Sequence, residues 1–143
     1  MVEDALVRRR TMQAVRSIDT KPELLVRSIA HRLGYRFRLH RKDLPGTPDL
    51  VFVGRRKVVF VHGCFWHGHD CPRGARVPRT NRAYWVKKIR RNRQRHITAE
   101  SELRLLGWRV LVLWECGLKE PARVRGALAK FLGSNRKKQK KHD

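Results

Sequence analysis

The chain is predicted to fold as a three-layer α/β domain around a central mixed β-sheet, and three observations predict it. Two short runs, Asp49-Leu50-Val51-Phe52-Val53 and Lys57-Val58-Val59-Phe60-Val61-His62, flank Gly54-Arg55-Arg56 and read as a β-hairpin. Their apolar residues are nearly continuous, so both faces should be covered. A third run, Trp108-Arg109-Val110-Leu111-Val112-Leu113-Trp114, comes only after a long helical stretch, and a helical crossover favours pairing it parallel to the second run. A length of 143 residues suits one domain with a real core.

Taken in order, residues 1–18 are basic (Arg8-Arg9-Arg10, Arg16) with scattered Met12, Val15 and Ile18, and read as a short helix or arm that orders on a partner. The main domain spans 19–133. Thr20-Lys21-Pro22-Glu23 reads as a helix start: Thr20 caps, Pro22 is tolerated in the first turn, and Glu23 completes a capping box. This helix should run to Gly34 and bury Leu25, Ile29 and Leu33. After the hairpin comes a Cys/His-rich loop, then a helix from about Thr80 to Leu106, stopped by Gly107. The third strand ends at Glu115-Cys116, Pro121 to Leu132 forms the last helix, and 134–143 reads as a basic, flexible tail. Sheet ends should bring Asp49, the Cys/His loop and Cys116 to neighbouring positions.

Lys and Arg number 35 against 12 Asp and Glu, a formal charge of +23. Such a balance attracts a polyanion. Apolar stretches are too short to span a bilayer, no lipid anchor is evident, and the N-terminus lacks an apolar core suited to secretion. A cytoplasmic, membrane-free protein is expected. Nucleic acid is the favoured partner, with affinity falling steeply with salt. Charge alone also fits an architectural or ribosome-associated basic protein.

The densest chemistry lies in Val61-His62-Gly63-Cys64-Phe65-Trp66-His67-Gly68-His69-Asp70-Cys71. Cys64, His69 and Cys71 have the spacing C-x4-H-x-C, and the remaining cysteine, Cys116, ends the third strand. Three cysteines cannot all pair as disulfides, and a cytosolic setting disfavours them. Thiolate and imidazole suit Zn²⁺, and four such ligands close a structural site with no open position for catalysis. His62 and His67 are alternatives to His69. Against this stands a reading of buried free thiols, which leaves the clustering unexplained.

Phosphodiester cleavage needs a divalent cation, an activated water and a stabilised leaving oxygen. Mg²⁺ prefers oxygen ligands, often few from the protein. Asp49 opens a buried strand after Leu44-Pro45-Gly46-Thr47-Pro48, where a cation ligand and a turn aspartate fit equally well. His67 is a candidate general base or a support of the zinc loop. His62 could face a phosphate, although a satisfied strand-end histidine is the simpler reading. For Glu23 the capping box suffices locally. Phe65 and Trp66 either stack on bases or pack beneath the zinc loop, and Trp85 joins the wedge or the core. Helical spacing puts Trp85, Ile89, Asn92 and His96 near one face.

At these residues the chain resembles the very short patch repair (Vsr) DNA mismatch endonucleases. The resemblance rests on Leu44 to Asp49, Val59 to Cys71, Trp85-Val86-Lys87-Lys88-Ile89 and Leu106 to Cys116, and extends from about Arg8 to the last helix. It implies a fold related to type II restriction endonucleases with a structural zinc. It also implies Mg²⁺-dependent nicking 5′ of the thymine in T·G mismatches left by deaminated 5-methylcytosine. Carried over, Asp49 and the backbone carbonyl of Val61 hold Mg²⁺, His67 is the base and His62 assists at the phosphate. Cys64, His69, Cys71 and Cys116 bind zinc. Phe65, Trp66 and Trp85 form the wedge, Met12 grips the opposite groove, and Glu23 gains catalytic weight. Double-stranded DNA carrying a T·G mismatch is the implied partner, with mismatch-repair proteins behind it and a monomeric enzyme in front. The chain departs from the family at His96, where an aspartate orienting the histidines is usual, at Gly68, where some relatives carry histidine, and at Val61, a common threonine.

Overall fold

In the computed structural model, residues 20–72 and 74–134 are described. Expectations for the N-terminal arm with Met12, and for the tail beyond Ser134, lie outside them.

Thr20 caps the first helix, α1 (Lys21–Arg32), its hydroxyl accepting from the Glu23 amide at 3.4 Å. The reciprocal half of the expected capping box is not made. The Glu23 side chain turns inward, and its carboxylate meets His40 and Arg27 instead. The buried stripe is also shifted from the expected one. Val26, Ile29 and Ala30 are buried, while Leu25 and Leu33 flank them half-exposed. The helix sits in a groove between sheet and last helix, so neighbours one position on from Leu25 take the deepest place.

Among the described residues, four strands form one sheet in the order β1 (Arg38–Leu39), β2 (Leu50–Phe52), β3 (Lys57–His62) and β4 (Arg109–Trp114). The predicted hairpin is present, with Leu50 opposite Val59 and Phe52 opposite Lys57. Its connection is a single 3-10 turn, Val53–Arg55, followed by Arg56 in the left-handed region at φ +53°. The predicted parallel pairing of β3 and β4 also holds, from Lys57 opposite Arg109 to His62 opposite Trp114. Strand β1 was not legible: an exposed Arg38 and a half-buried Leu39 are too few to show a period.

Strand residues alternate between two cores. Leu50, Phe52 and Val59 pack with Val26, Ile29, Val124, Leu128 and Leu132, under α1 and the last helix, α3 (Pro121–Leu132). Val51, Val58, Phe60 and Val110 face Leu103 and Trp108, at the end of the long helix α2 (Arg82–Leu105). The result is a mixed α/β domain with helices on both faces of a four-stranded sheet, as the continuous apolar runs predicted. No helix among the described residues is long and apolar enough to cross a membrane.

The basic residues of the hairpin turn also hold the end of α3. Arg55 and Lys57 donate to the carbonyls of Leu132 and Phe131, at 2.8 and 2.6 Å. Cations there satisfy orphan carbonyls and complement the helix dipole. Part of the positive charge is therefore structural, not simply a surface for polyanions.

Candidate functional site

At the carboxyl end of β3 a cleft of about 890 Å³ is lined by Glu23 from α1, Asp49 before β2, Val61 and His62 from β3, and Phe65 to His67 from the following loop. Asn92, Arg95 and His96 close it from α2. The expected convergence of Asp49 with the Cys/His segment is therefore present.

Asp49 is delivered by a loop with two consecutive left-handed residues, Gly46 and Thr47. A Cβ at Gly46 would lie 2.7 Å from the Ala99 side chain, so the turn is pressed against α2. The Asp49 carboxylate accepts from the Val61 amide at 2.6 Å. Burial, opposed by that hydrogen bond and reinforced by the neighbouring Glu23 carboxylate, pushes its pKa up to about 7. Glu23 is 3% exposed, with His40 Nε2 2.8 Å from one of its oxygens. Oxygens of Glu23 and Asp49 and a nitrogen of His40 all lie within 4.8 Å of one another. His40 was missed: it stands alone outside the motif, and only its backbone pairing with Asp49 brings it here.

The same cleft is lined by a group of imidazoles. His62 and His67 stack in parallel with centroids 3.7 Å apart, and His96 meets His62 edge-on at 4.3 Å. Burial, then the neighbouring His67 and His96, hold the His62 pKa down at about 2. The His96 pKa is also lowered, by burial. His62 Nδ1 and His96 Nε2 are buried without a hydrogen-bond partner among the described residues. The orphaned ring nitrogen of His62 is unlike that of a satisfied strand-end histidine. Asn92, buried on the same face, donates to the Trp66 carbonyl at 3.0 Å and fixes the loop to α2.

The aromatic residues form their own cluster. Phe65, Trp66 and Trp85 lie 5.1 to 6.0 Å apart with tilted or edge-on rings. Trp85 is buried and props the other two, which are half-exposed and line the cleft.

On the far side of the loop, one ligand atom each from Cys64, His69, Cys71 and Cys116 gathers within 4.8 Å. Among the three candidate histidines, His69 is the one that joins them. Its ring stacks on Trp114 at 4.0 Å, and its Nδ1 is 3.5 Å from Cys116 Sγ. Amides of Cys116 and Gly74 donate to the sulfurs of Cys64 and Cys71 at 3.3 and 3.4 Å, as suits thiolates. Without a cation, burial and the adjacent thiols push the Cys64 pKa up to about 12. The donor set fits a thiophilic cation such as Zn²⁺, which ionises such thiols on binding.

Between the two sites, Gly68 adopts φ +57° and a Cβ there would meet Ile89 at 2.6 Å. Gly68→Ala should therefore strain the loop and lower stability by about 1–3 kcal/mol, seen as a fall in Tm. An unchanged Tm would mean that the loop lies further from α2 than described.

A profile of the family described as DNA mismatch endonuclease Vsr matches residues 2–73. The chain belongs to the Vsr family. It is 54% identical to the type II nicking enzyme V.XorIIP of Xanthomonas oryzae, over 87% of this chain and 91% of that relative. It is 42% identical to the DNA mismatch endonuclease Vsr of Escherichia coli, over 82% of this chain and 75% of the relative. A type II nicking enzyme of Neisseria meningitidis, V.NmeAIP, is likewise 42% identical over 85% of this chain and 86% of its own length. This protein is thus a Vsr-family DNA endonuclease, and its cleft is the natural place to seek the chemistry.

Proposed function

We propose that this protein nicks one strand of double-stranded DNA on the 5′ side of the thymine in a T·G mismatch, using Mg²⁺, on a restriction-endonuclease-like fold stabilised by zinc. The observation that carries the reading is a single cleft that gathers the carboxylates Asp49 and Glu23 with the stacked His62 and His67. Phe65 and Trp66 stand at its edge.

Asp49 and the Val61 carbonyl would hold Mg²⁺, with the Glu23 carboxylate beside them within reach of the same cation. In extended backbone the amide and carbonyl of one residue face the same strand edge. The Val61 amide already points at Asp49, which favours its carbonyl as a second ligand. Threonine-to-valine exchange at that position leaves a backbone ligand intact. Bound there, Mg²⁺ would polarise the scissile phosphate and offset charge on the leaving oxygen. His67 takes a proton from the attacking water on a ring nitrogen. His62, kept neutral by burial, adds no positive charge against His67 and offers a ring N–H to a phosphate oxygen. Phe65 and Trp66, braced by Trp85, insert beside the mismatched pair, where the weaker stack lowers the unstacking cost. Cys64, His69, Cys71 and Cys116 would hold Zn²⁺ in a closed structural site. Residues 1–18 and Met12 contribute from the opposite groove. The enzyme works as a monomer, and mismatch-repair proteins are its natural collaborators.

A nicking assay on T·G-mismatched and fully paired duplexes with Mg²⁺ tests this. One nick, in the thymine strand of the mismatched duplex only, is expected. Equal nicking of paired DNA would mean relaxed specificity, for which His96 at the family's aspartate position is the feature to suspect. Binding without any cleavage would reduce the protein to a zinc-stabilised DNA-binding module.

A further inference from the structure

His40 sits at the end of β1 with φ +46°, a left-handed conformation uncommon for a residue other than glycine. Its amide still pairs with the Asp49 carbonyl at 3.3 Å, so it remains registered against the strand that delivers Asp49. This backbone turns the imidazole towards Glu23, with Nε2 2.8 Å from the carboxylate. Backbone strain of this kind persists where surrounding structure imposes it, and it clusters at ligand sites.

We infer that His40 is a direct nitrogen ligand of the catalytic cation, and that it shifts the site's preference from Mg²⁺ towards a first-row transition ion such as Mn²⁺. The inference rests on the cation being held at Asp49, as proposed above. Three facts carry it. Ligand atoms from His40, Glu23 and Asp49 lie within 4.8 Å of one another. The 2.8 Å between His40 Nε2 and the Glu23 oxygen is close to the separation of two neighbouring ligands around an octahedral cation with bonds of about 2.1 Å, which is roughly 3 Å. Glu23 is buried and Asp49 half-buried, and among the described residues Arg27 and His40 are the ion-pair partners of Glu23. Entry of a cation replaces the Glu23–His40 hydrogen bond by two metal–ligand bonds, with the imidazole proton on Nδ1. A nitrogen donor matters because Mg²⁺ takes oxygen ligands almost exclusively, whereas imidazole suits transition ions.

The test uses the whole protein with its zinc retained, without DNA. Mn²⁺ and Mg²⁺ are titrated separately by calorimetry, and nitrogen hyperfine coupling is read by electron spin-echo modulation of the Mn²⁺-loaded protein. His40→Gln is the variant, because glutamine still donates to Glu23. Wild type should bind Mn²⁺ about tenfold more tightly than Mg²⁺ and show a coordinated imidazole nitrogen. His40→Gln should lose that coupling and about tenfold of Mn²⁺ affinity, while Mg²⁺ affinity changes by less than about threefold. Mn²⁺ bound without nitrogen coupling, or coupling that survives in His40→Gln, would overturn the nitrogen ligand and leave Asp49 as cation ligand standing. Mn²⁺ affinity unchanged by Asp49→Asn would instead overturn the cation site itself. Should His40→Gln fail to fold, the wild-type spectrum decides, since absence of coordinated nitrogen there is sufficient to reject His40.

Discussion

Asp49→Asn should abolish nicking, by about 10³-fold or more, and at the same time raise the Tm of the protein measured without added divalent cation. The first effect follows from losing the charge that holds a cation on the phosphate, worth several kcal/mol in the transition state. The second follows from where that charge lies. Burial and the adjacent Glu23 push the Asp49 pKa up to about 7, against about 3.9 in an unfolded chain. Between those values the native state binds the extra proton, so stability is lost as pH rises through the window from about 4 to 7. Above it the wild type carries the full cost of a buried carboxylate. Asparagine keeps an oxygen for the Val61 amide and removes the charge, so the variant should gain about 1–3 kcal/mol near pH 7.5, several degrees of Tm, and little near pH 4. For the same reason, cation affinity of the wild type should fall as pH drops below 7, because protons compete for the ligand. Thermal melts from pH 4 to 8 in zinc-retaining protein, beside a nicking assay, read both effects. A variant that melts lower than wild type at pH 7.5 would show that Asp49 is there for structure.

The role of Asp49 shows what a sequence can and cannot disclose about such a site. Local pattern placed it equally well as turn former or cation ligand, because both begin with a carboxylate after Pro-Gly-Thr-Pro. Three-dimensional context separates the two: the side chain points at the Val61 amide and at Glu23, twelve and twenty-six positions away. The hairpin, the parallel crossover and α3 were all legible, since each is a periodic run bounded by glycine or proline. Strand β1 was not, being two residues long and formed by pairing with β2. The same blindness hid His40, and it misassigned the Glu23 carboxylate to a capping box that would have kept it local. His96 was visible as a departure. Its edge-on contact with His62 and Phe60 was not, because that contact depends on how α2 lies across the end of β3. Short-range chemistry reads well from sequence, whereas long-range delivery of single side chains does not.

The zinc cluster yields the opposite sign of stability change. Cys116→Ala should lower zinc from about one per chain to well below one, drop Tm by ten degrees or more, on the order of 3–5 kcal/mol, and abolish nicking. Hydrogen bonding explains why a single thiol matters so much. Among the described residues of 63–77, backbone bonds run locally from Gly68 to Phe65, His69 to Cys64, Cys71 to His69, Ala75 to Cys71 and Val77 to Ala75. The β3–β4 ladder stops at His62 opposite Trp114, and among the described residues no strand pairing continues into this loop. The loop is held by the Asn92–Trp66 bond, the aromatic packing, the ring contacts of His67 and His69 with Trp114, and the Cys/His cluster, in which Cys116 alone belongs to the turn after β4. Without that anchor Cys64, His69 and Cys71 keep one another and the stacking of His69 on Trp114 but lose their tie to the turn after β4, and His67 and Trp66 are held less firmly in direction. Asp49, Glu23 and His62 stay on α1 and the strands, so Mn²⁺ affinity should survive within about threefold at temperatures where the core is intact. Loss of nicking with cation binding retained separates a positioning role for the cluster from general unfolding. Cys116→Ala that keeps full activity and Tm would sink the closed four-ligand site. Paired with Asp49→Asn, which inactivates while stabilising, it divides the site into a strained carboxylate pocket and the clamp that aims the Cys/His loop beside it.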